Sequence, residues 1–382
     1  MTSSDPRQAD DRTTGRTLPG SPSAAGDDLF AGERLVLVHD AASGLRAAIA
    51  LDDTTLGPAL GGVRLKRYPD AAAGIREAQR LAAAMTLKNA AAGLPYGGGK
   101  AVILDDGPVP DRAALMAAFG RAVAGLGGAY LPGVDMGTTT ADLATMGRAG
   151  ATVSCADEDP SPWTALGVHA AVLAAVRHTD GRDGLAGVRV LVQGAGHVGA
   201  TLARLVRDSG GTVLVADVDP VRASAVAADV GGSVVAADDV LTTECDVFAP
   251  CAVARVLDER TIPRLRCRIV AGAANDTLAE RADADRLAGR GVLYVPDFLA
   301  NAGGVIHIHA LRAGWDAGRL RAAVLAVGDR VGAVLADASA AGGTPLDAAE
   351  ALAADRIARA RRDASGPTAA PATDRLVAGL AA

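Results

Sequence analysis

Two lysines stand twelve positions apart in MTLKNAAAGLPYGGGK, residues 85–100, the second directly after three glycines. Of the 38 lysines and arginines in the chain, only Lys66, Lys88 and Lys100 are lysines. Arginine stays protonated at any working pH, whereas desolvation or a neighbouring cation can bring lysine to neutrality. If Lys88 and Lys100 face one cleft, each disfavours the other's charge. One then anchors an anion while the other serves as a base. Gly97, Gly98 and Gly99 remove side chains just before Lys100, leaving room for a substrate and the backbone to approach. Asp135, in AYLPGVDMGTT, offers a carboxylate to exchange protons in the same pocket. The bland alternatives are two solvated surface lysines and an aspartate that caps the helix of TTTADLATM.

A second constellation is GAGHVG, with Gly194, Gly196 and Gly199 in GxGxxG spacing, directly after the apolar run VRVLVQ and before TLARLVRD. The first glycine permits a tight turn, the second lets backbone approach a pyrophosphate, and the third lets strand and helix pack closely. Asp217 stands 23 positions after Gly194, at the end of the next strand, where a carboxylate accepts ribose hydroxyls and repels a 2′-phosphate. NAD is therefore favoured over NADP. The expected cofactor contacts run through Gly194, Ala195, Gly196, His197, Val198 and Gly199, then Asp217 with Val218. His197 reads as a first-turn helix residue, not a catalyst.

The elements that must hold these groups follow from the patterning. Residues 1–28 are polar and lack a hydrophobic period, which predicts a disordered tail. RLVLVHD and LRAAIALD read as strands, followed by the turn-rich GPALGGVRL. Helical spacing from Asp70 to Ala92 places Lys88 in the last turns of a helix stopped by Gly93 and Pro95. Lys100 then sits where a glycine-rich loop enters the strand AVILDD. Further helices are expected near 111–126 and 164–178. After a boundary near residue 156, the runs VRVLVQG, TVLVADV, SVVA, CDVFAPC, RIVAGAAN and VLYVPDF alternate with helices, which implies a parallel sheet covered on both faces. The expected fold class is α/β: an N-terminal α/β substrate and oligomerisation domain (29–155) and a C-terminal Rossmann-type doubly wound NAD-binding domain (156–335). Residues 336–363 are expected to pack back on the first domain, and 364–382 to form a flexible tail.

Composition excludes other classes. A net charge of −6 with no lysine-rich run gives no footprint for nucleic acid. No apolar run approaches the roughly 20 residues that span a bilayer, and the N-terminus lacks a signal-peptide pattern, so a cytoplasmic place and no membrane partner are expected. The four cysteines form no CxxC pair, which fits free thiols. His307 and His309 in VIHIH would share one face if they lay on a strand, but without a third ligand core or helix-face packing is expected and no metal site.

MTLKNAAAGLPYGGGK, GPALGGVR, GVDMGTT, DPSPWTALGV, GAGHVG, CDVFAPCA, VAGAAN and PDFLANAGGVIH together resemble the amino acid dehydrogenases that act on glutamate, leucine, valine and phenylalanine. The likeness runs in order from about residue 33 to about residue 362. It implies NAD-dependent, reversible oxidative deamination of an L-amino acid to its 2-oxo acid and ammonia. It also implies that Lys88 binds the substrate carboxylate, Lys100 is the base, and Asp135 assists proton transfer. Gly61, Gly62 and Met85 would line the substrate site. Asn275, with Asn301 nearby, would lie against substrate and nicotinamide, and Thr164, Cys251, Ala252, Ala273 and Ala274 would face the cofactor. The resemblance further implies a homo-oligomer contacting through its first domain.

The glutamate enzymes of this family carry a lysine where GPALGG has Leu60, so an apolar substrate is expected, of leucine or valine type. Gly133 resembles the phenylalanine enzymes, in which a small residue makes room for a ring, and Leu299 would refill part of that room. Asp276 departs from the asparagine usual after GAAN. The other readings are a phenylalanine dehydrogenase, a catalytically silent NAD-binding sensor, and a 2-hydroxy acid dehydrogenase, for which no histidine, carboxylate and arginine trio assembles.

Overall fold

The computed structural model describes residues 31–105, 107, 111–154 and 158–365. The tail expected over 1–28, and all but the first two residues of the one expected over 364–382, lie outside these, as does Cys155.

The first lobe is built on a five-stranded sheet. β1 (Arg34–Asp40) pairs antiparallel with β2 (Leu45–Asp53), and β3 (Ala59–Lys66) is followed by α1 (Ala71–Ala91) and β4 (Gly97–Leu104). Then come α2 (Arg112–Ala124), β5 (Tyr130–Val134) and α3 (Thr140–Arg148). The strand order is β1-β2-β4-β3-β5, with β3 parallel to both β4 and β5. The Asp70 side chain starts α1 by accepting the Ala73 N–H at 2.7 Å, a cap whose loss costs about 1 kcal/mol.

Two expectations are corrected here. GPALGGVRL forms β3 in the interior of the sheet, because Gly61 and Gly62 leave no side chain to reveal its alternation. Gly97, Gly98 and Gly99 belong to β4 itself, so Lys100 sits inside a strand. These glycines admit protein, not substrate: a Cβ on Gly98 would lie 2.1 Å from Thr86 Oγ1 and 2.3 Å from Ala82 O. With that atom missing, α1 lies directly on β4.

α4 (Ser161–Asp180) leads into the second lobe. That lobe comprises β6 (Arg189–Gln193), α5 (His197–Asp208), β7 (Thr212–Ala216), α6 (Pro220–Val230), β8 (Ser233–Val234), β9 (Val247–Pro250), β10 (Ile269–Val270), α7 (Asp283–Gly289) and β11 (Leu293–Tyr294). All six strands are parallel, in the order β11-β10-β9-β6-β7-β8. Alternate residues fill separate cores on the two faces: Val190, Val192 and Val247 in one, Leu191 and Phe248 in the other. The order reverses between β6 and β9, opening the crevice where ligands of such sheets bind.

The chain closes with α8 (Asp297–Ala300), α9 (Gly303–Arg312), α10 (Ala317–Ala341) and α11 (Pro345–Ala364). VIHIH lies in helix α9, not in a strand, so His307 and His309 point apart: His307 Nε2 meets Glu158 at 2.9 Å and His309 Nδ1 meets the Tyr96 hydroxyl at 3.0 Å. The chain runs unbroken through residue 336 in α10 and turns back at Gly342 (φ 67°). From there α11 reaches the first lobe, where Arg356 Nη1 donates to Ala90 O at 2.9 Å and Arg361 Nη2 pairs with Asp53 at 2.6 Å. Among the described residues, no helix is long and apolar enough to cross a membrane.

Candidate active site

A cleft of about 840 Å³ separates the two sheets, lined from one side by Arg64, Glu77, Arg80, Met85, Lys88, Lys100 and Asp135, and from the other by Ala252, Ala274, Asn275 and Asp297. Helix α1 and strand β4 thus bring both lysines to one cavity. Lys100 is nearly buried, its side chain 8% exposed, and its ammonium lies 2.7 Å from Asp135 Oδ2. Arg64 Nε holds the same oxygen at 2.9 Å. Burial alone would raise the Asp135 carboxyl, but Lys100 and Arg64 together outweigh it and hold it at about 2. Thr139, not Asp135, caps α3, with Asp142 completing a capping box.

Burial lowers the Lys100 ammonium below its ordinary value, against the opposing pull of Asp135. Lys88 is brought to about 8, chiefly by desolvation, with the Lys100 charge adding to the fall and Asp297 opposing it. The mutual effect expected of the two lysines is thus present in Lys88 but secondary to burial. Lys88 Nζ donates to Asn275 Oδ1 at 2.7 Å, and Asn301 Nδ2 donates to that same oxygen at 2.9 Å and to Ala273 O at 3.1 Å.

Gly61 and Gly62 do not line the cleft but lie close against residues of the site. A Cβ on Gly61 would lie 1.7 Å from Gly99 O, and one on Gly62 would lie 2.7 Å from Asp135 Cβ and 3.1 Å from Lys100 Nζ. Three other residues singled out from the sequence stand back from the cleft lining. Leu60 and Leu299 are fully packed in the core, and the space in front of Gly133 is filled by Ser154, whose Oγ would lie 2.9 Å from an added Cβ.

The glycine turn sits at the switch point of the parallel sheet. Gly194 has φ 101° and faces Ala252, and a Cβ on Gly199 would lie 1.8 Å from Gly194 O. Among the described residues, nothing fills the space in front of Gly196 and no side chain caps the N-terminus of α5. Asp217 accepts the Ala195 N–H at 2.7 Å and the Asp219 N–H at 2.9 Å, so the carboxylate is already oriented at the strand end. Val218 beside it is 87% exposed. Cys251 N–H donates to Gln193 O at 2.7 Å, and the N–H groups of Ala273 and Ala274 both donate to Pro250 O, at 2.8 and 2.9 Å. His197 begins α5 and meets Asp159 at 3.1 Å. Thr164 donates to Pro160 O at 3.2 Å, in the first turn of α4. Among the described residues, buried Gln193 Oε1 and Asn301 Oδ1 find no hydrogen-bond partner.

Sequence reasoning passed over Arg64, Glu77 and Arg80. The signal was available: positions 77, 80 and 88 fall on one face of a helix, and Arg64 is the last letter of GPALGGVR.

A glycine turn at the switch point of one parallel sheet, with a buried lysine and aspartate in a cleft beside the other sheet, defines a two-lobed α/β dehydrogenase architecture. Residues 33–151 match the Glu/Leu/Phe/Val dehydrogenase dimerisation domain, and residues 215–364 match the Glutamate/Leucine/Phenylalanine/Valine dehydrogenase domain. The chain belongs to this family of amino acid dehydrogenases. It is 38% identical over 339 residues to a leucine dehydrogenase of Bacillus subtilis, covering 87% of this chain and 93% of that one. It is 39% identical over 338 residues to a valine dehydrogenase of Streptomyces albus, covering 86% and 93%. The crystal structure of an L-tryptophan dehydrogenase from Nostoc punctiforme superimposes with a TM-score of 0.75 at 37% identity, covering 87% of this chain and 97% of that one.

Proposed function

We propose that the protein catalyses the NAD-dependent, reversible oxidative deamination of an apolar L-amino acid of leucine or valine type, giving the 2-oxo acid and ammonia. The observation that carries this reading is the convergence of Lys88, Lys100 and Asp135 on one cleft, opposite Asn275.

The Lys88 ammonium anchors the substrate carboxylate, whose negative charge restores the proton that burial disfavours. Asn275, held by Asn301, bounds the substrate on the other side. NAD fits the second lobe: the uncapped end of α5 and the open face of Gly196 suit a pyrophosphate, and Asp217 suits the ribose hydroxyls. When bound, NAD would accept the hydride from the substrate α-carbon. Neutral Lys100 takes a proton from the water that attacks the resulting substrate imine. Lys100 and Arg64 hold the Asp135 carboxyl below its ordinary value, so it assists proton transfer by orienting Lys100. The proton passed to departing ammonia comes from the Lys100 ammonium, which Asp135 holds in place.

Glutamate is disfavoured by the likeness to leucine and valine dehydrogenases. An aromatic substrate is the second reading, favoured by the cleft volume and by the likeness to a tryptophan dehydrogenase. The reading includes the division of the chain near residue 156, with the segment from 336 to 363 returning to the first lobe through α11. It also includes a homo-oligomer formed through the dimerisation domain and a cytoplasmic place. The test is NADH and NADPH formation across leucine, valine, phenylalanine, tryptophan and glutamate. The expected result is fastest NADH formation with a branched-chain amino acid. Turnover confined to glutamate, or none from folded protein that binds NAD, would overturn the reading.

A further inference from the structure

The Lys100–Asp135 pair begins a longer series. From Asp135 the contacts continue to Arg64 at 2.9 Å, from Arg64 to Glu77 at 2.8 Å, from Glu77 to Arg80 at 2.8 Å, and from Arg80 to Asp276 at 2.6 Å. The sign of the charge alternates at every step. Lys100, Asp135, Arg64, Glu77 and Arg80 all stand on the first lobe, whereas Asp276 stands on the loop that follows β10 in the second. The last pair therefore crosses the cleft. Asp276 is also the neighbour of Asn275, which takes the Lys88 ammonium.

The loop carrying Asp276 is conformationally costly. Asp276 has φ 52° and Arg255, whose N–H donates to Asp276 O at 2.6 Å, has φ 54°. Left-handed backbone at non-glycine residues costs on the order of 1 kcal/mol or more each, and persists only where surrounding contacts impose it. Arg80 supplies such a contact from the opposite lobe.

We propose that Arg80 and Asp276 form a cross-cleft ion pair that sets Asn275 against Lys88 as the lobes meet and, through Glu77 and Arg64, fixes Asp135 on Lys100. Arg80, Glu77 and Asp276 are positioning residues for the deamination, so this inference rests on the function proposed above. Each intermediate carboxylate in the series is shared by two cations. Removing Arg80 leaves Glu77 to Arg64 alone and loosens the Arg64 grip on Asp135, while Asp276 loses its partner across the cleft. The consequence falls on kcat more than on nucleotide affinity, because no member of the series touches the glycine turn.

The experiment is a double-mutant cycle on the full-length protein with Arg80→Gln, Asp276→Asn and both together, reading kcat, substrate KM and NADH affinity by fluorescence titration. Each single change is expected to lower kcat about tenfold with NADH affinity changed far less, and the double variant to lose no more than Arg80→Gln alone. Arg80→Lys, which keeps the charge, is expected to recover part of kcat; it also carries the test if Arg80→Gln fails to fold. Losses that multiply to about a hundredfold in the double variant would overturn the pair. So would single variants whose melting temperature falls while kcat stays at the wild-type value. Absence of turnover in the wild type would instead remove the underlying function.

Discussion

The wall of the cleft made by α1, β3, β4 and β5 holds its chemistry in charged side chains that neutralise one another, whereas the wall at the turn joining β6 to α5, outside the cleft lining, holds it in bare backbone. On the first wall Lys100, Asp135, Arg64, Glu77 and Arg80 are all drawn from water and tolerate this only because each has a partner. On the second wall Gly194, Gly196 and Gly199 contribute no side chain at all, and a single carbon decides whether the turn closes. The two walls should therefore fail in different ways. Changes of charge should stop chemistry while leaving nucleotide binding intact, and changes of volume should do the reverse.

The largest effect tests the charged wall. Lys100→Arg keeps the positive charge beside Asp135 but removes the ability to accept a proton near neutrality, so kcat should fall about 10²- to 10⁴-fold. Equilibrium titration should find NADH affinity unchanged. Turnover at the wild-type rate would contradict the proton-accepting role.

The backbone wall is broken by one methyl group. Gly199→Ala places a Cβ 1.8 Å from Gly194 O, so the turn must shift and NADH affinity should fall at least about tenfold, with a lowered melting temperature. Gly196→Ala points into open space. It should leave thermal stability alone and weaken only nucleotide binding. Equal effects of the two changes on melting temperature would erase the distinction.

A smaller effect is expected at the strand end between the two. Asp217→Ala removes the carboxylate that would repel a 2′-phosphate, so the preference for NAD over NADP should narrow severalfold while kcat with NAD stays close to the wild-type value. Comparing kcat/KM for the two cofactors checks this, and unchanged selectivity would take Asp217 out of that role.

Much of this contrast was legible in the sequence, for physical reasons that differ by region. The parallel sheet and its turn were plain because apolar runs such as VRVLVQ and TVLVADV need only hydrophobicity to be recognised. Helix α1 was plain because its apolar positions repeat at helical spacing after the Asp70 cap. The glycine strands β3 and β4 were not, since Gly61, Gly62 and residues 97–99 carry no hydrophobic signal and reveal their purpose only when Cβ positions collide with neighbouring backbone. VIHIH left strand and helix open, because its alternation is one that a buried helix can also display. Arg64, Glu77 and Arg80 were visible individually, but their continuity with Asp276 depends on contact between two lobes nearly 200 positions apart in sequence.

The subtlest difference between the walls concerns stability. Lys88 falls from the ordinary 10.5 to about 8 on folding, so its charge opposes the fold. Below pH 8 the ammonium is protonated in both states and the penalty is fully present. Between pH 8 and 10.5 the unfolded chain binds a proton that the folded chain has released, so stability rises with pH, and above 10.5 the penalty is gone. Lys88→Met should therefore raise the melting temperature at pH 7 by a few degrees and by less near pH 10, even as it raises substrate KM. Asn275 Oδ1 would keep the Asn301 amide and so would not be orphaned. Thermal denaturation of both proteins at the two pH values checks the sign. A variant less stable at pH 7, or a difference that does not change with pH, would mean that Lys88 does not pay for its burial in charge and that the anion-anchoring site is less desolvated than its surroundings imply.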